Sequence, residues 1–439
     1  MGFCQELTRL QTMVEKDLEI QLGRPIFNDN LWKCLLVDFF LIQLIIGPFV
    51  VALWRGIWEF HGWCFSKLGF GGFVEGLVSF IIGFIFATAI TLFFREIDAF
   101  AKNGGTVKYL LVSRIFSIMN TFFSLLYWKG VFDMLDAVKA EEEEAPKFAV
   151  LLAAVALFII GAFKSAAITP PIGVNLDTKE NYFNIDTFYS SKRKDPFPYR
   201  ILDAVSTTIV DVISAMAFYG AWGTSEDWFQ VGDDSKFHEI SPTEKNQDIN
   251  EDIAITRTAF IVLAISHGLS FIVFITQFIF LYNHRQCINM YFVKEWDDLF
   301  YALIMLLSLF ATAFYFKGWW DLQDIFLNRI LTNFSMPVKN AISFLFSYGI
   351  IILMGTASYN NFGVQRESRK DEEGVLFPFF FLTYYLRDRS RDSRTLPNSH
   401  FATHDETFAK IMKWCECSRR KSSCSDVKTE QGQTSEESE

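Results

Sequence analysis

Asp203, Thr207, Asp211 and Ser214 fall at i, i+4, i+8 and i+11 of one apolar run, which puts them on one face of a helix. An ionisable side chain inside a membrane-length run is costly, so it is expected to pair, bind or titrate there. Two carboxylates and two hydroxyls in a row offer oxygen ligands to a cation, or a polar path to a small solute. The same four residues also suit a seam of hydrogen bonds to neighbouring helices, and both readings stand. His267 lies early in the next apolar run, where an imidazole can relay a proton or simply bond locally. Asp38, Arg114, Asn120 and Gln277 are further polar residues within apolar runs. Asp38 and Arg114 could pair with each other or snorkel to the membrane edge.

Catalytic signatures are missing from the sequence. It holds no phosphate-cradling glycine loop, no nucleophile elbow and no dinucleotide fingerprint. His400 and His404 have helical metal spacing but lack a third ligand. The expectation is a protein that is not an enzyme, with no metal and no cofactor. A net charge of −10 argues against nucleic acid as a partner.

The elements that must position the polar face are long and apolar. The chain of 439 residues is 51% hydrophobic and 17% aromatic, with 49 Phe, which few soluble proteins approach. Eight apolar runs of membrane-crossing length stand out: 34–53, 71–94, 109–128, 148–168, 201–222, 258–282, 298–319 and 338–357. The fold class is therefore an all-α integral membrane protein with eight transmembrane helices in the lipid bilayer. Residues 1–33 form a cytosolic N-terminal segment, 34–357 the bundle, 358–417 a cytosolic juxtamembrane segment and 418–439 a disordered tail. No cleavable signal peptide stands at the start, so the first run would act as a signal-anchor. Lys and Arg concentrate on the side of the two termini, which places both in the cytosol. The sequon Asn333-Phe334-Ser335 then falls in an outside loop, a candidate for glycosylation. Cys415 and Cys417, in a basic stretch, are open to acylation or remain reduced thiols.

A short pattern recurs at every odd run. It reads Trp54-Arg55-Gly56-Ile57-Trp58, Trp128-Lys129-Gly130-Val131-Phe132, Phe218-Tyr219-Gly220-Ala221-Trp222 and Phe316-Lys317-Gly318-Trp319-Trp320. Each interval between these glycines holds two apolar runs, so four parallel two-helix repeats are expected. At these places the clusters should be structural helix ends, with glycine capping the helix and aromatic and basic side chains forming a rim at the outer face.

The span count, the cytosolic termini and runs such as Leu53-Trp54-Arg55-Gly56-Ile57-Trp58 and Tyr127-Trp128-Lys129-Gly130-Val131-Phe132-Asp133 resemble the Fuseless family of invertebrate multi-pass membrane proteins. The resemblance covers roughly residues 30–386. It implies a presynaptic plasma-membrane protein that organises or traffics voltage-gated calcium channels and supports neurotransmitter release, with a calcium-channel complex as partner. The other reading is an eight-span transporter or channel for a small solute or cation, using the polar face of the fifth span. Oligomeric state is open.

Overall fold

The computed structural model describes residues 31–141, 144–167, 171–172, 177, 182–229, 244–286 and 294–357. All lie within the compact unit Met1–Tyr384. The juxtamembrane segment 358–417, with Cys415 and Cys417, and the tail 418–439 fall outside the described residues, as does nearly all of 1–33.

Among the described residues every regular element is a helix. In chain order they are α1 (Leu31–Leu41), a π turn (Ile42–Ile46), α2 (Gly47–Lys67), α3 (Gly72–Lys102), α4 (Thr106–Glu141), α5 (Glu144–Ile159), a 3-10 turn (Phe163–Ala166), α6 (Phe197–Phe229), α7 (Glu244–Gln286), α8 (Lys294–Ile330) and α9 (Met336–Leu353). Among the described residues seven stretches are long and apolar enough to cross a membrane: Leu36–Lys67, Gly72–Lys102, Thr106–Glu141, Phe197–Trp228, Ile253–Thr276, Ala302–Ile330 and Met336–Leu353.

The run expected at 148–168 is the exception. Its helix stops at Ile159 and the chain turns at Gly161, whose φ of +63° suits a residue without a side chain. Residues 162–167 then fold inward instead of continuing along the helix, and Ala162, Ala166 and Ala167 are buried.

Four helices form an inner ring. α2 packs on α4, α4 on α6, α6 on α8 and α8 on α2. Each has a less buried partner outside it: α3 against α4, α5 against α6, α7 against α8 and α9 against α2. The outer helices show apolar side chains to the surroundings, such as Phe73, Leu77 and Ile81 on α3 or Leu151 and Phe158 on α5. In lipid such faces are satisfied as they are. Helices associate instead through close packing and polar contacts.

The π turn has a local cause and a use. The extra residue loosens the ladder at Gln43, whose carbonyl accepts the Tyr315 hydroxyl from α8. Gly47, at the end of that turn, leaves room for the tyrosine; a Cβ there would collide with its hydroxyl.

Candidate functional site

The four aromatic–glycine clusters meet at the centre of the ring. Trp54 lies 5.6 Å from Trp128 and 4.8 Å from Phe316, and Phe218 closes the square at 5.5 Å from Trp128 and 5.9 Å from Phe316, ring centre to ring centre. All four are buried. A second layer stacks on the first. Trp58 touches Phe132 at 5.1 Å and Trp320 at 6.0 Å, and Trp320 touches Trp222 at 5.6 Å. Phe132 meets Tyr219 at 5.0 Å. These are edge and tilted arrangements, each worth about 1 kcal/mol beyond its buried area.

This placement corrects the expectation of helix-end clusters. Gly56, Gly130, Gly220 and Gly318 all sit inside helices, and none has the positive φ of a cap. They mark close approach between a ring helix and its outer partner. A Cβ on Gly56 would press on Asn340 and Phe344 of α9, on Gly130 on Gly76 and Phe80 of α3, on Gly220 on Val150 of α5, and on Gly318 on Leu263 of α7. Trp54, Trp128 and Trp222 face the interior instead of a lipid rim, and Trp319 packs beside Tyr315 at 6.4 Å.

The residue before each glycine does not snorkel either. Arg55 is 1% exposed; it donates to Asp324 of α8 and to Asn340 Oδ1 of α9 at 3.3 Å. Lys129 pairs with Asp133 at 2.6 Å and with Glu75 of α3 at 3.4 Å. Tyr219 donates to Asp136 of α4 at 2.7 Å. Lys317 pairs with Asp321 at 2.8 Å and reaches Glu226 of α6 at 3.9 Å. One rule covers three of the four. Arg55, Tyr219 and Lys317 each reach across the ring to the residue six beyond the neighbouring helix's glycine: Asp324, Asp136 and Glu226. At the fourth interface that position is Gly62, where a Cβ would stand 3.5 Å from Lys129 Cε. Lys129 therefore takes its acid from the outer helix. The ammonium groups of Lys129 and Lys317 also lie 5.8 Å from the rings of Trp58 and Trp222 on the neighbouring helices.

The described residues after α5 pack into the same core, with Phe163, Ala167, Ile172 and Phe183 buried. They are tied to all four ring helices or their extensions. Ala167 O accepts from Thr312 of α8 (3.2 Å), and Pro171 O from Gln43 of the π turn (3.3 Å). Asp177 and the Tyr182 hydroxyl take Arg114 of α4 at 2.9 and 2.8 Å. Burial pushes the Tyr182 phenol above its usual range, with Asp177 adding to the shift. Residues 187–191 bond to Asp203 and Thr207 of α6.

The polar face of α6 is thereby divided. Asp203 is fully buried and accepts from Thr187 Oγ1 (2.7 Å), Tyr189 N (2.6 Å) and Ser191 N (2.8 Å). Thr207 Oγ1 accepts from Phe188 N at 2.9 Å and donates to Asp203 O. These two residues hold a loop. Asp211, one turn further and buried, accepts from the Tyr127 hydroxyl of α4. It borders a cavity of about 10 Å³ shared with Thr91, Asn120, Ser124 and Thr208, roughly the room of one water molecule. Ser214 returns its hydroxyl to Val210 O. His267 does not join this face: on α7, its Nδ1 is 2.6 Å from Leu263 O and its ring lies beside Tyr315. Asp38 and Arg114 are not partnered in the way the sequence suggested, since Arg114 takes Asp177. The side chain of Gln277 lies outside the described residues.

The acids Asp324, Asp136 and Glu226, and their partnership with Arg55, Tyr219 and Lys317, went unrecognised from sequence. A signal was present in Lys129–Asp133 and Lys317–Asp321, both spaced i, i+4. Among the described residues no group of His, Cys, Asp and Glu is arranged to hold a metal ion.

A protein-family model, Fuseless, matches residues 33–238, which bears out the resemblance drawn from the aromatic–glycine runs. The match takes in three of the four clusters and the whole polar face of α6. No curated protein and no solved structure matches the chain.

Proposed function

We propose that this chain is a presynaptic plasma-membrane protein that organises or traffics voltage-gated calcium channels in support of neurotransmitter release, and that it conducts nothing itself. The observation that carries the non-conducting part is the packing inside the ring: two aromatic layers at one level, and described residues after α5 bonded to every ring helix or its extension at another. The calcium-channel part is supported by the family match over 33–238. Removing the protein from neurons should displace calcium channels from release sites, as read by channel immunofluorescence against a release-site marker. Channels that keep their position and number in its absence would overturn this reading.

The proposal includes eight crossings and four repeats. The clusters of α4 and α6 share one layer, so those helices run parallel and α5 must return between them. Its 16 residues span about 24 Å, short of the roughly 30 Å bilayer core. The turn at Gly161 lets the following segment complete the passage inside the protein. The cross-ring rule at Arg55, Tyr219 and Lys317 supports duplication, with each outer helix grouped with the ring helix it packs on. The charge asymmetry supports cytosolic termini. Asn333 is exposed in the turn between α8 and α9, on the outer side in this orientation. Wild-type protein from animal cells should lose apparent mass on glycosidase treatment, and Asn333→Gln should run at the treated position. A glycan on any loop of the opposite side would reverse the orientation.

The second reading, a transporter or channel, is favoured by Asp211 beside its small polar cavity. That cavity lies between α3, α4 and α6, off the axis.

A further inference from the structure

Asp203 is the one carboxylate of the α6 face that is enclosed by loop donors, and what it holds in place is a turn bearing three consecutive cations. Lys192, Arg193 and Lys194 are exposed. We infer that this turn is a binding site for the phosphate of an anionic phospholipid headgroup, positioned by the Asp203 clamp.

The turn follows Ser191, whose amide is bonded to Asp203 in the first turns of α6. Beside it, α6 starts with the exposed apolar side chains of Phe197, Tyr199, Ile201 and Leu202. These mark where the lipid-facing surface of that helix ends, with aromatic residues of the kind that sit at headgroup level. Lys192 to Lys194 therefore stand at the height of lipid phosphates.

Arg95 of α3 joins the group, with Nη1 3.4 Å from Ser191 Oγ. The nearby acids are already engaged. Asp195 accepts from the Lys192 amide at 2.6 Å, Glu96 takes Arg200 at 2.8 Å, and Asp203 is closed off by its three donors. The three cations of the turn are left facing outward. Juxtamembrane Lys and Arg clusters attract anionic lipid by about 1 kcal/mol per residue. A fixed turn adds preorganisation, because the loop need not be ordered on binding. Ser190, at φ +52°, is a strained position kept where surrounding bonds impose it, and here the two neighbouring amides are both held by Asp203.

This inference needs only that the chain spans a membrane, and it stands apart from the calcium-channel reading. The test uses purified full-length protein in neutral detergent with fluorescent short-chain phosphatidylinositol bisphosphate, read by polarisation. Phosphatidylcholine of the same chain length and free inositol trisphosphate serve as competitors. Wild type should prefer the anionic lipid, with the free headgroup competing weakly. The triple variant Lys192→Gln, Arg193→Gln, Lys194→Gln should bind roughly a hundredfold more weakly. Lys67→Gln with Lys139→Gln, exposed cations at the opposite end, should bind as wild type. Asp203→Asn keeps every cation but weakens the clamp, and should lose several-fold in affinity while amides 187–191 exchange faster. Unchanged binding by the triple variant would sink the site. Equal affinity for the free headgroup would make the ligand a soluble phosphate instead of a lipid. Since the triple variant alters only exposed side chains, it reports even if Asp203→Asn fails to fold.

Discussion

Replacing Gly130 by alanine should destabilise the bundle by about 3 kcal/mol, at the upper end for overpacking. A Cβ at this position would lie 2.5 Å from Phe80 N and 2.6 Å from Gly76 O. Both are backbone atoms of α3, so no side chain can rotate away and the two helices must part. The reciprocal position has the same limit, since a Cβ on Gly76 would lie 2.8 Å from Met134 N. Parting α3 from α4 also disturbs the Lys129–Glu75 pair and shifts Trp128 out of the central square. Gly268→Ala and Gly349→Ala are matched controls, because nothing lies within 4 Å of a Cβ at either. Both should be neutral or slightly stabilising, by up to about 1 kcal/mol from helix propensity. Thermal unfolding in detergent micelles separates the cases. A Gly130→Ala protein as stable as the controls would mean that the α3–α4 approach is looser than described.

Arg55→Ala should cost about 3 kcal/mol. It removes a side chain that joins α2 to both α8 and α9, through Asp324 and Asn340. Asp324 is 40% exposed and keeps part of its hydration when left alone, so the loss stays at the low end for a broken buried pair. Arg55→Lys should lose about 1 kcal/mol, because an ammonium cannot present a planar fork to two acceptors. The pair Arg55→Ala, Asp324→Ala should cost less than the two single changes together, by about 1 kcal/mol or more. Strict additivity would show that the two side chains do not interact.

Much of this architecture was legible in the residues. Seven of eight apolar runs are helices of crossing length, and the clusters around Gly56, Gly130, Gly220 and Gly318 do share one place in the fold. Their depth was not legible. Arg55, Lys129 and Lys317 lower the local hydropathy and so read as a membrane boundary. They lie in the interior because Asp324, Glu75, Asp133, Asp321 and Glu226 neutralise them, mostly from other helices, and partners of that kind leave little trace in a linear sequence.

The fourth run misled for a different reason. Composition continues apolar through 168, but Gly161 ends the helix and residues 162–167 are buried by protein, which is as apolar as lipid. The spacing of Asp203, Thr207, Asp211 and Ser214 correctly gave one helix face. It could not show that half of this face clamps the loop 187–191, since that depends on where a distant segment folds.

The proposal that the protein works without conducting has a direct test. Flux across reconstituted vesicles tests this most directly, with the full-length chain, a panel of monovalent and divalent cations and small neutral solutes, and Asp211→Asn alongside wild type. No flux above protein-free vesicles is expected for either protein. A selective flux through wild type that Asp211→Asn abolishes would contradict the proposal and assign the α6 face to permeation.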